Sequence, residues 1–247
     1  MGAELGLSAR TVGRAAKQLG LKPYHRRKRP SISSENTRKR FRFAKEHKEE
    51  DWSAVLFEDE KTFEVGHHPN RKNDVVYAYS ADEVPTIPKV AHPAKLNVAA
   101  AVSEKGRTEL HIFKENMMGE LYKQILSDTI LPGAQKILGS KPWTLLQDSD
   151  PKHTSAVVRS FLDQHGTSYF SKDDWPAQSP DINIMEDVWA MLLDAINKQP
   201  PHTIRQLEAA LKREWKKLPQ HKLSNAVNSM PARLAAVRAA KGGSTKY

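Results

Sequence analysis

Short apolar runs alternate with amphipathic stretches between residues 52 and 196, and this order constrains the fold more than any other feature. Runs typical of buried strands occupy residues 52–57, 96–102, 108–113, 143–147 and 168–170. Stretches with the 3.6-residue period of a helix occupy residues 117–131, 154–165 and 180–196. Three strands followed by alternating helices and strands predict a three-layer α/β domain.

The composition excludes several other classes of protein. The chain has 247 residues and no cysteine, which rules out disulfides, a thiolate nucleophile and zinc sites that use cysteine. No apolar run approaches the roughly 20 residues that a membrane span needs, and the first ten residues lack the apolar stretch of a signal peptide. We therefore expect a soluble intracellular protein without a membrane partner.

Positive charge is concentrated at the N-terminal end. Residues 1–48 carry 14 Lys and Arg against three Asp and Glu, whereas the rest of the chain carries 25 against 26. A basic arm on a near-neutral body predicts binding to a polyanion. Nucleic acid fits better than a membrane, because the arm has no strong apolar face.

The start of the arm has the pattern of a partial helix-turn-helix over residues 1–24. Ser8 is a good N-cap for a helix over residues 9–19, and one face of that helix groups Arg10, Arg14 and Lys17. A recognition helix that binds DNA and a solvated amphipathic surface helix explain this pattern equally well. No first helix of the motif precedes it, so we expect an arm that is truncated or folds with a partner.

A basic linker follows over residues 25–50. It contains an arginine-rich run that could follow phosphates or enter a narrow minor groove, or serve as a nuclear import signal: Arg26, Arg27, Lys28 and Arg29. Residues 31–36 are predicted to form a polar linker. A basic helix is predicted over residues 37–48, with Phe41 and Ala44 on its inner side.

Two aspartates follow predicted strands, where a site in an α/β sheet is commonly built. Asp59 follows the strand over residues 52–57 and shares a face with Val55 and Phe57, and Asp148 follows the strand over residues 143–147. Asp150 lies two residues further, on the same face as Asp148. For either acid alone, an ordinary turn residue is the favoured interpretation.

Glu186 is the third candidate. Ser179 and Pro180 mark the predicted start of its helix, and Glu186 falls on the apolar side, where a carboxylate needs an ion pair or a metal. A structural salt bridge is the alternative. Three convergent carboxylates without cysteine point to Mg²⁺, and two such ions can drive phosphodiester chemistry.

Three ordered motifs resemble those of the DDE transposases of the mariner superfamily, closest to the nematode Tc-element branch. They are WSAVLFEDEKTF at residues 52–63, LLQDSDPKHTS at 145–155 and WPAQSPDINIMEDVW at 175–189. The resemblance runs from about residue 3 to residue 247. The closing MPARLAAVRAAKGGSTKY is similar to the family's C-terminal end, so we expect this terminus to be complete.

The resemblance implies an RNase H-like catalytic domain over residues 51–247 with C-terminal helices. Its catalytic acids, which bind two Mg²⁺ or Mn²⁺ ions, would be Asp59, Asp148 and Glu186. The implied activity is cut-and-paste transposition in the nucleus, with cleavage at terminal inverted repeats and strand transfer into TA target DNA. Residues 66–94 fall at the position of a clamp loop that contacts a partner subunit, which implies a homodimer.

This sequence also departs from the family pattern. Asp148 and Glu186 are separated by 37 residues, more than in the commonest members, and only the end of the second of two helix-turn-helix units is present. A catalytically silent DNA-binding derivative and a nuclease without strand transfer therefore remain alternatives. His153 is expected to satisfy neighbouring groups rather than phosphate, and residues 212–217 to form a solvated helix face.

Overall fold

The computed structural model describes residues 9–20, 32–66, 78–84, 92–171 and 174–247. The chain divides into two compact units, Met1–Ser31 and Ile32–Tyr247. Helix α1 (Ala9–Gln18) of the first unit confirms the helix predicted over residues 9–19. The predicted domain boundaries at residues 24 and 50 stay predictions. Within the described ranges, no helix has the length and apolar character to cross a membrane.

Over its described residues, the second unit contains a six-stranded mixed sheet. The strands are β1 (Val55–Glu64), β2 (Lys95–Ser103), β3 (Gly106–Arg107), β4 (His111–Phe113), β5 (Thr144–Leu146) and β6 (Ser168–Tyr169). Their order is β3-β2-β1-β5-β6, with β4 also paired to β2. Strand β1 pairs antiparallel with β2 and parallel with β5, and β5 pairs parallel with β6. Of the predicted run 108–113, only residues 111–113 form a strand.

Helices cover both faces of the sheet and complete the predicted three layers. The helices are α2 (Ser34–Glu46), α3 (Gly119–Ile125), α4 (Leu131–Leu138), α5 (Ala156–Gln164), α6 (Met185–Asn197), α7 (Ile204–Lys217), α8 (Gln220–Asn228) and α9 (Met230–Ala239). Leu56 packs in the core under α3 to α5, whereas its neighbours Val55 and Phe57 pack in the core under α2 and α6 to α9. A π-helical turn, Leu126–Ile130, joins α3 to α4.

Strand β1 is longer than predicted. It begins at Val55 after a 3₁₀ turn, Trp52–Ala54, and continues through the acidic residues to Glu64. Continuous pairing with β2 from Phe57 to Glu64 satisfies the backbone of this polar half. Asp59 therefore lies within a strand rather than after one, on the face that alternation predicts.

Helix α2 begins earlier than predicted, at Ser34, because the Ser33 hydroxyl accepts a hydrogen bond from the Asn36 N–H at 3.1 Å. The prediction of a polar linker over residues 31–36 is therefore wrong for residues 34–36, which belong to α2. Ala44 is buried as predicted, but Phe41 is 40% exposed, and Phe43 takes the inner position.

A buried ion pair ties α2 to the loop that precedes α6. Arg40 is fully buried and donates two hydrogen bonds of 2.7 Å to the Asp181 carboxylate. Its Nε donates to the Gly242 carbonyl at 2.9 Å. Gly242 has a φ of +86°, and a Cβ there would lie 2.0 Å from the Thr37 carbonyl oxygen, so only glycine fits. These contacts hold the C-terminal segment against α2.

Candidate active site

The structure brings the three predicted acids to one pocket of about 380 Å³. Asp59 lies in the middle of β1, Asp148 lies just beyond β5, and Glu186 lies in the first turn of α6. Because Phe57 pairs with Leu146, Asp59 and Asp148 each lie two residues past the same rung of adjacent parallel strands. The pocket is also lined by Ser149, Asp150, Trp175, Ala177, Gln178, Ser179, Pro180 and Asn183.

Asp59 is partly buried and held by three donors. Its Oδ2 accepts hydrogen bonds from Asn183 Nδ2 and Trp189 Nε1, each at 3.2 Å, and its Oδ1 accepts from the Glu60 N–H at 2.8 Å. Burial and the negative charge of Glu60 raise the pKa of Asp59 to about 7, with smaller contributions from Glu186 and Asp148. The carboxyl lies where further negative charge is unfavourable and a cation would be favoured.

Asp148 has the opposite electrostatic environment. Its Oδ1 accepts from the Asp150 N–H at 2.9 Å and from His153 Nδ1 at 2.7 Å. Burial acts to raise the pKa of Asp148, but the hydrogen bond and the charge of His153 outweigh it and lower the pKa below its ordinary value. Asp148 is therefore ionised at neutral pH.

Glu186 lies on the rim of the pocket and not against the core, so that part of its prediction is wrong. Its helix begins at Met185 rather than Pro180, because the Asn183 side chain accepts the Met185 N–H at 3.0 Å and residues 180–184 form turns. The Glu186 side chain is 44% exposed, and its Oε2 lies 3.1 Å from Lys61 Nζ. The salt bridge considered as an alternative is thus present, at the edge of the same pocket.

His153 connects Asp148 to a fourth carboxylate that sequence reasoning did not include. Its ring is 1% exposed, and its Nε2 lies 2.8 Å from Glu60 Oε1. Burial acts against protonation, but hydrogen bonds to Asp148 and Glu60 together with nearby negative charge raise the pKa of His153 to about 10. The prediction that His153 satisfies neighbouring groups is confirmed.

A buried polar chain, Glu58–Tyr122–Gln147, adjoins this histidine and was also missed. The Tyr122 hydroxyl lies 2.6 Å from Glu58 Oε2 and 2.8 Å from Gln147 Oε1, yet it has one proton to donate. Burial and the charge of Glu60 raise the pKa of Glu58 well above its ordinary value. A neutral Glu58 that donates to Tyr122, with Tyr122 donating to Gln147, satisfies both contacts of the Tyr122 hydroxyl. The sequence did carry a signal for the position of Glu58, because alternation along a strand places it on the face opposite Asp59.

The ligand chemistry of the pocket fits a hard divalent cation, since carboxylate oxygens are the ligands that Mg²⁺ prefers. The pKa of Asp59 is raised by burial and by the neighbouring carboxylates, and a bound cation would offset both effects. Within the described ranges, however, no three His, Asp or Glu side chains are already spaced to share one ion. One of the three acids, Glu186, is held at the rim of the pocket by its ion pair with Lys61.

The predicted DNA-binding residues belong to the first unit. Arg10, Arg14 and Lys17 are exposed on α1. The run Arg26, Arg27, Lys28 and Arg29 lies outside the described residues, as does most of the predicted clamp loop over residues 66–94. Their roles in binding DNA or a partner stay predictions.

Two family models match the chain. A model described as DDE superfamily endonuclease matches residues 54–208, which include all three acids. A model of a transposase helix-turn-helix matches residues 2–49.

Transposases of nematode transposable elements are similar along nearly the whole chain. The Tc1 transposase of Caenorhabditis elegans is 32% identical over 261 residues, covering 97% of this chain and 88% of its own. The Tcb1 transposase of Caenorhabditis briggsae is 29% identical over 247 residues, with the same coverage of the two chains.

Solved structures of a more distant transposase share the fold. A Mos1 mariner paired-end complex with Mn has a TM-score of 0.81 at 17% identity, covering 99% of this chain and 74% of its own. The Mos1 catalytic domain has a TM-score of 0.70 at 15% identity, covering 89% of this chain and all of its own. The RNase H-like arrangement expected from the sequence is thereby confirmed.

Proposed function

This chain belongs to the Tc1/mariner family of DDE transposases, and we propose that Asp59, Asp148 and Glu186 are the acids with which it cleaves and transfers DNA strands. The observation that carries the proposal is their convergence, from three separate elements, on one pocket. Carboxylates that converge in this way are suited to phosphoryl transfer, which depends on positioning and charge stabilisation.

We propose that these acids bind two Mg²⁺ or Mn²⁺ ions. Once bound, the ions would activate the attacking oxygen, from water or a 3′-hydroxyl, and stabilise the leaving oxygen. Mos1 complexes with Mn and with Mg are structural neighbours of this chain, which supports a divalent ion of this type. Asn183 and Trp189 hold Asp59, and His153 holds Asp148, so two of the three acids are oriented before any ion arrives.

The basic N-terminal segments would bind the DNA. Exposed Arg10, Arg14 and Lys17 on α1, with the run over residues 26–29, offer cations to the phosphates of the transposon ends. We propose terminal inverted repeats and a TA target as the DNA substrates, because this specificity accompanies the family resemblance. A nuclear location fits the basic run, which has the composition of an import signal.

We further propose that the active form is a homodimer, with residues 66–94 in contact with the partner. The neighbouring Mos1 structures are paired-end complexes, and the described part of residues 66–94 leaves Tyr79 fully exposed, as an unpartnered contact residue would be.

The test is Mn²⁺-dependent nicking and joining of short TA-containing duplexes by the 247-residue chain and its Asp148→Asn variant. We expect nicked and joined products from the parent and neither from the variant, with equal DNA binding by both. Nicking without joining would indicate a nuclease. DNA binding without any cleavage would indicate a silent, transposon-derived DNA-binding protein.

A further inference from the structure

The imidazole of His153 is fixed at both of its nitrogens. Nδ1 lies 2.7 Å from Asp148 Oδ1, and Nε2 lies 2.8 Å from Glu60 Oε1. Both partners are carboxylate oxygens, so both ring nitrogens act as donors. The ring is 1% exposed and packs on Tyr122, with the ring centroids 4.3 Å apart. Such a side chain can hold its partners in one orientation.

The contacts on Asp148 are asymmetric. The described hydrogen bonds to this carboxylate, from His153 Nδ1 and from the Asp150 N–H, both fall on Oδ1. Asp148 itself lies beyond the last residue of β5, where no strand pairing restrains it. The hydrogen bonds accepted by Oδ1, rather than strand pairing, therefore fix the orientation of the Asp148 carboxylate.

We propose that His153 is a positioning residue, which pins Oδ1 of Asp148 so that Oδ2 is presented to a divalent cation. The inference rests on the proposed function, since it assumes that Asp148 is a cation ligand. Hydrogen bonds that orient a metal-binding carboxylate typically change metal affinity about 10–100-fold when they are removed. His153 would thus act through Asp148 without touching DNA.

Two substitutions of His153 test the contacts of its two ring nitrogens separately. The amide nitrogen of Asn lies as many bonds from Cβ as Nδ1 does, so His153→Asn retains a donor toward Asp148 and removes the one toward Glu60. The amide nitrogen of Gln matches Nε2, so His153→Gln retains the donor toward Glu60 and removes the one toward Asp148. Replacing His165, which is exposed at the end of α5, by Gln controls for loss of an imidazole elsewhere.

The first measurement is the Mn²⁺ affinity of each DNA-free chain, obtained by titration from the electron paramagnetic resonance signal of the Mn²⁺ that stays unbound. The second is the melting temperature of each variant without the cation. We expect His153→Gln to weaken Mn²⁺ binding at least about tenfold, and His153→Asn and His165→Gln to stay within about threefold of the parent. Rescue by Asn but not by Gln is the signature that a purely structural histidine would not produce.

Equal affinities of the Asn and Gln variants would overturn the inference, whether both match the parent or both fall with their melting temperatures. If His153→Gln fails to fold, Glu60→Gln replaces it. That change keeps an oxygen acceptor for Nε2 while removing the charge, and we expect Mn²⁺ affinity within about threefold of the parent. A larger loss of Mn²⁺ affinity would overturn the inference, because it would show that the charge of the site and not the orientation of Asp148 controls binding. A parent chain that binds no Mn²⁺ would contradict the proposed function itself.

Discussion

Asp59 and Asp148 are adjacent acids with opposite electrostatic environments. Burial, followed by the negative charge of Glu60, raises the pKa of Asp59 to about 7, and the side chains that donate hydrogen bonds to Asp59 are neutral. Asp148 has the cationic ring of His153, which lowers its pKa. At neutral pH, Asp148 is therefore charged while Asp59 is partly protonated.

A dependence of stability on pH follows from Asp59. Its pKa rises from 3.8 to about 7 on folding, so between these pH values the folded chain holds a proton that the unfolded chain has released, and stability falls as pH increases. The unfavourable contribution near pH 8 is on the order of 1–4 kcal/mol. We expect urea unfolding of the cation-free Asp59→Asn variant to lack this part of the slope between pH 4 and 8. Parallel pH profiles for the parent and variant would contradict the assignment.

The positions of the three acids could be predicted at the residue scale, but their surroundings could not. Strand ends and motif order identified Asp59, Asp148 and Glu186. The exposure of Glu186 depends on where α6 begins, which an Asn183 side-chain hydrogen bond decides. The pairing of His153 with Glu60 joins residues 93 positions apart, and no local pattern reports such a contact.

At the scale of elements, α2 and the C-terminal segment act as a brace for the loop before α6. Asp181 accepts two hydrogen bonds from Arg40 and further ones from the N–H and hydroxyl of Thr245. The carbonyl of Asp181 accepts a hydrogen bond from Arg233 at 3.0 Å. This loop continues directly into Asn183 and Glu186, so the brace fixes one wall of the pocket.

Removing the Asp181 carboxylate should therefore be strongly destabilising. Arg40 is fully buried and would be left without its counter-ion, a change that typically costs about 3–5 kcal/mol. The matched control is Glu35→Ala on the same helix. That change breaks an ion pair between Glu35 and Lys39, whose side chains are 66% and 43% exposed, and it should cost far less stability than the change at Asp181 because exposed ion pairs contribute little. Equal destabilisation by Asp181→Ala and Glu35→Ala in urea unfolding would refute the role of the brace.

Most elements could be predicted from periodicity, and two of the errors share a cause. Helices α3, α5 and α6 and most strands were anticipated, whereas α4 was not. Strand β1 extends seven residues past Phe57, because pairing with β2 overrides the polar composition of that half. The inward turn of Phe43 rather than Phe41 likewise follows from tertiary packing, with Phe43 among Trp52, Phe170 and Trp175.

At the scale of the whole molecule, the charge asymmetry predicts a salt-dependent attachment to DNA. Replacing Arg26, Arg27, Lys28 and Arg29 by Ala should weaken binding and reduce the slope of log K against log salt by about 0.9 for each phosphate that is no longer neutralised. The matched control removes the same number of cations from α7, namely Lys212, Arg213, Lys216 and Lys217. That control should leave the slope unchanged. Equal changes of the salt slope in both variants would mean that the arm contributes no more to DNA binding than the cations of α7 do.

Whether the three acids form a metal site is tested most directly by the anomalous scattering of Mn²⁺ in crystals of this chain soaked with the ion. We expect anomalous density among the carboxylates of Asp59, Asp148 and Glu186, with Glu186 turned away from Lys61, and no such density in the Glu186→Gln variant. Ordered Mn²⁺ elsewhere, with these three acids unoccupied and the Lys61–Glu186 pair intact at saturating ion, would contradict the proposed site.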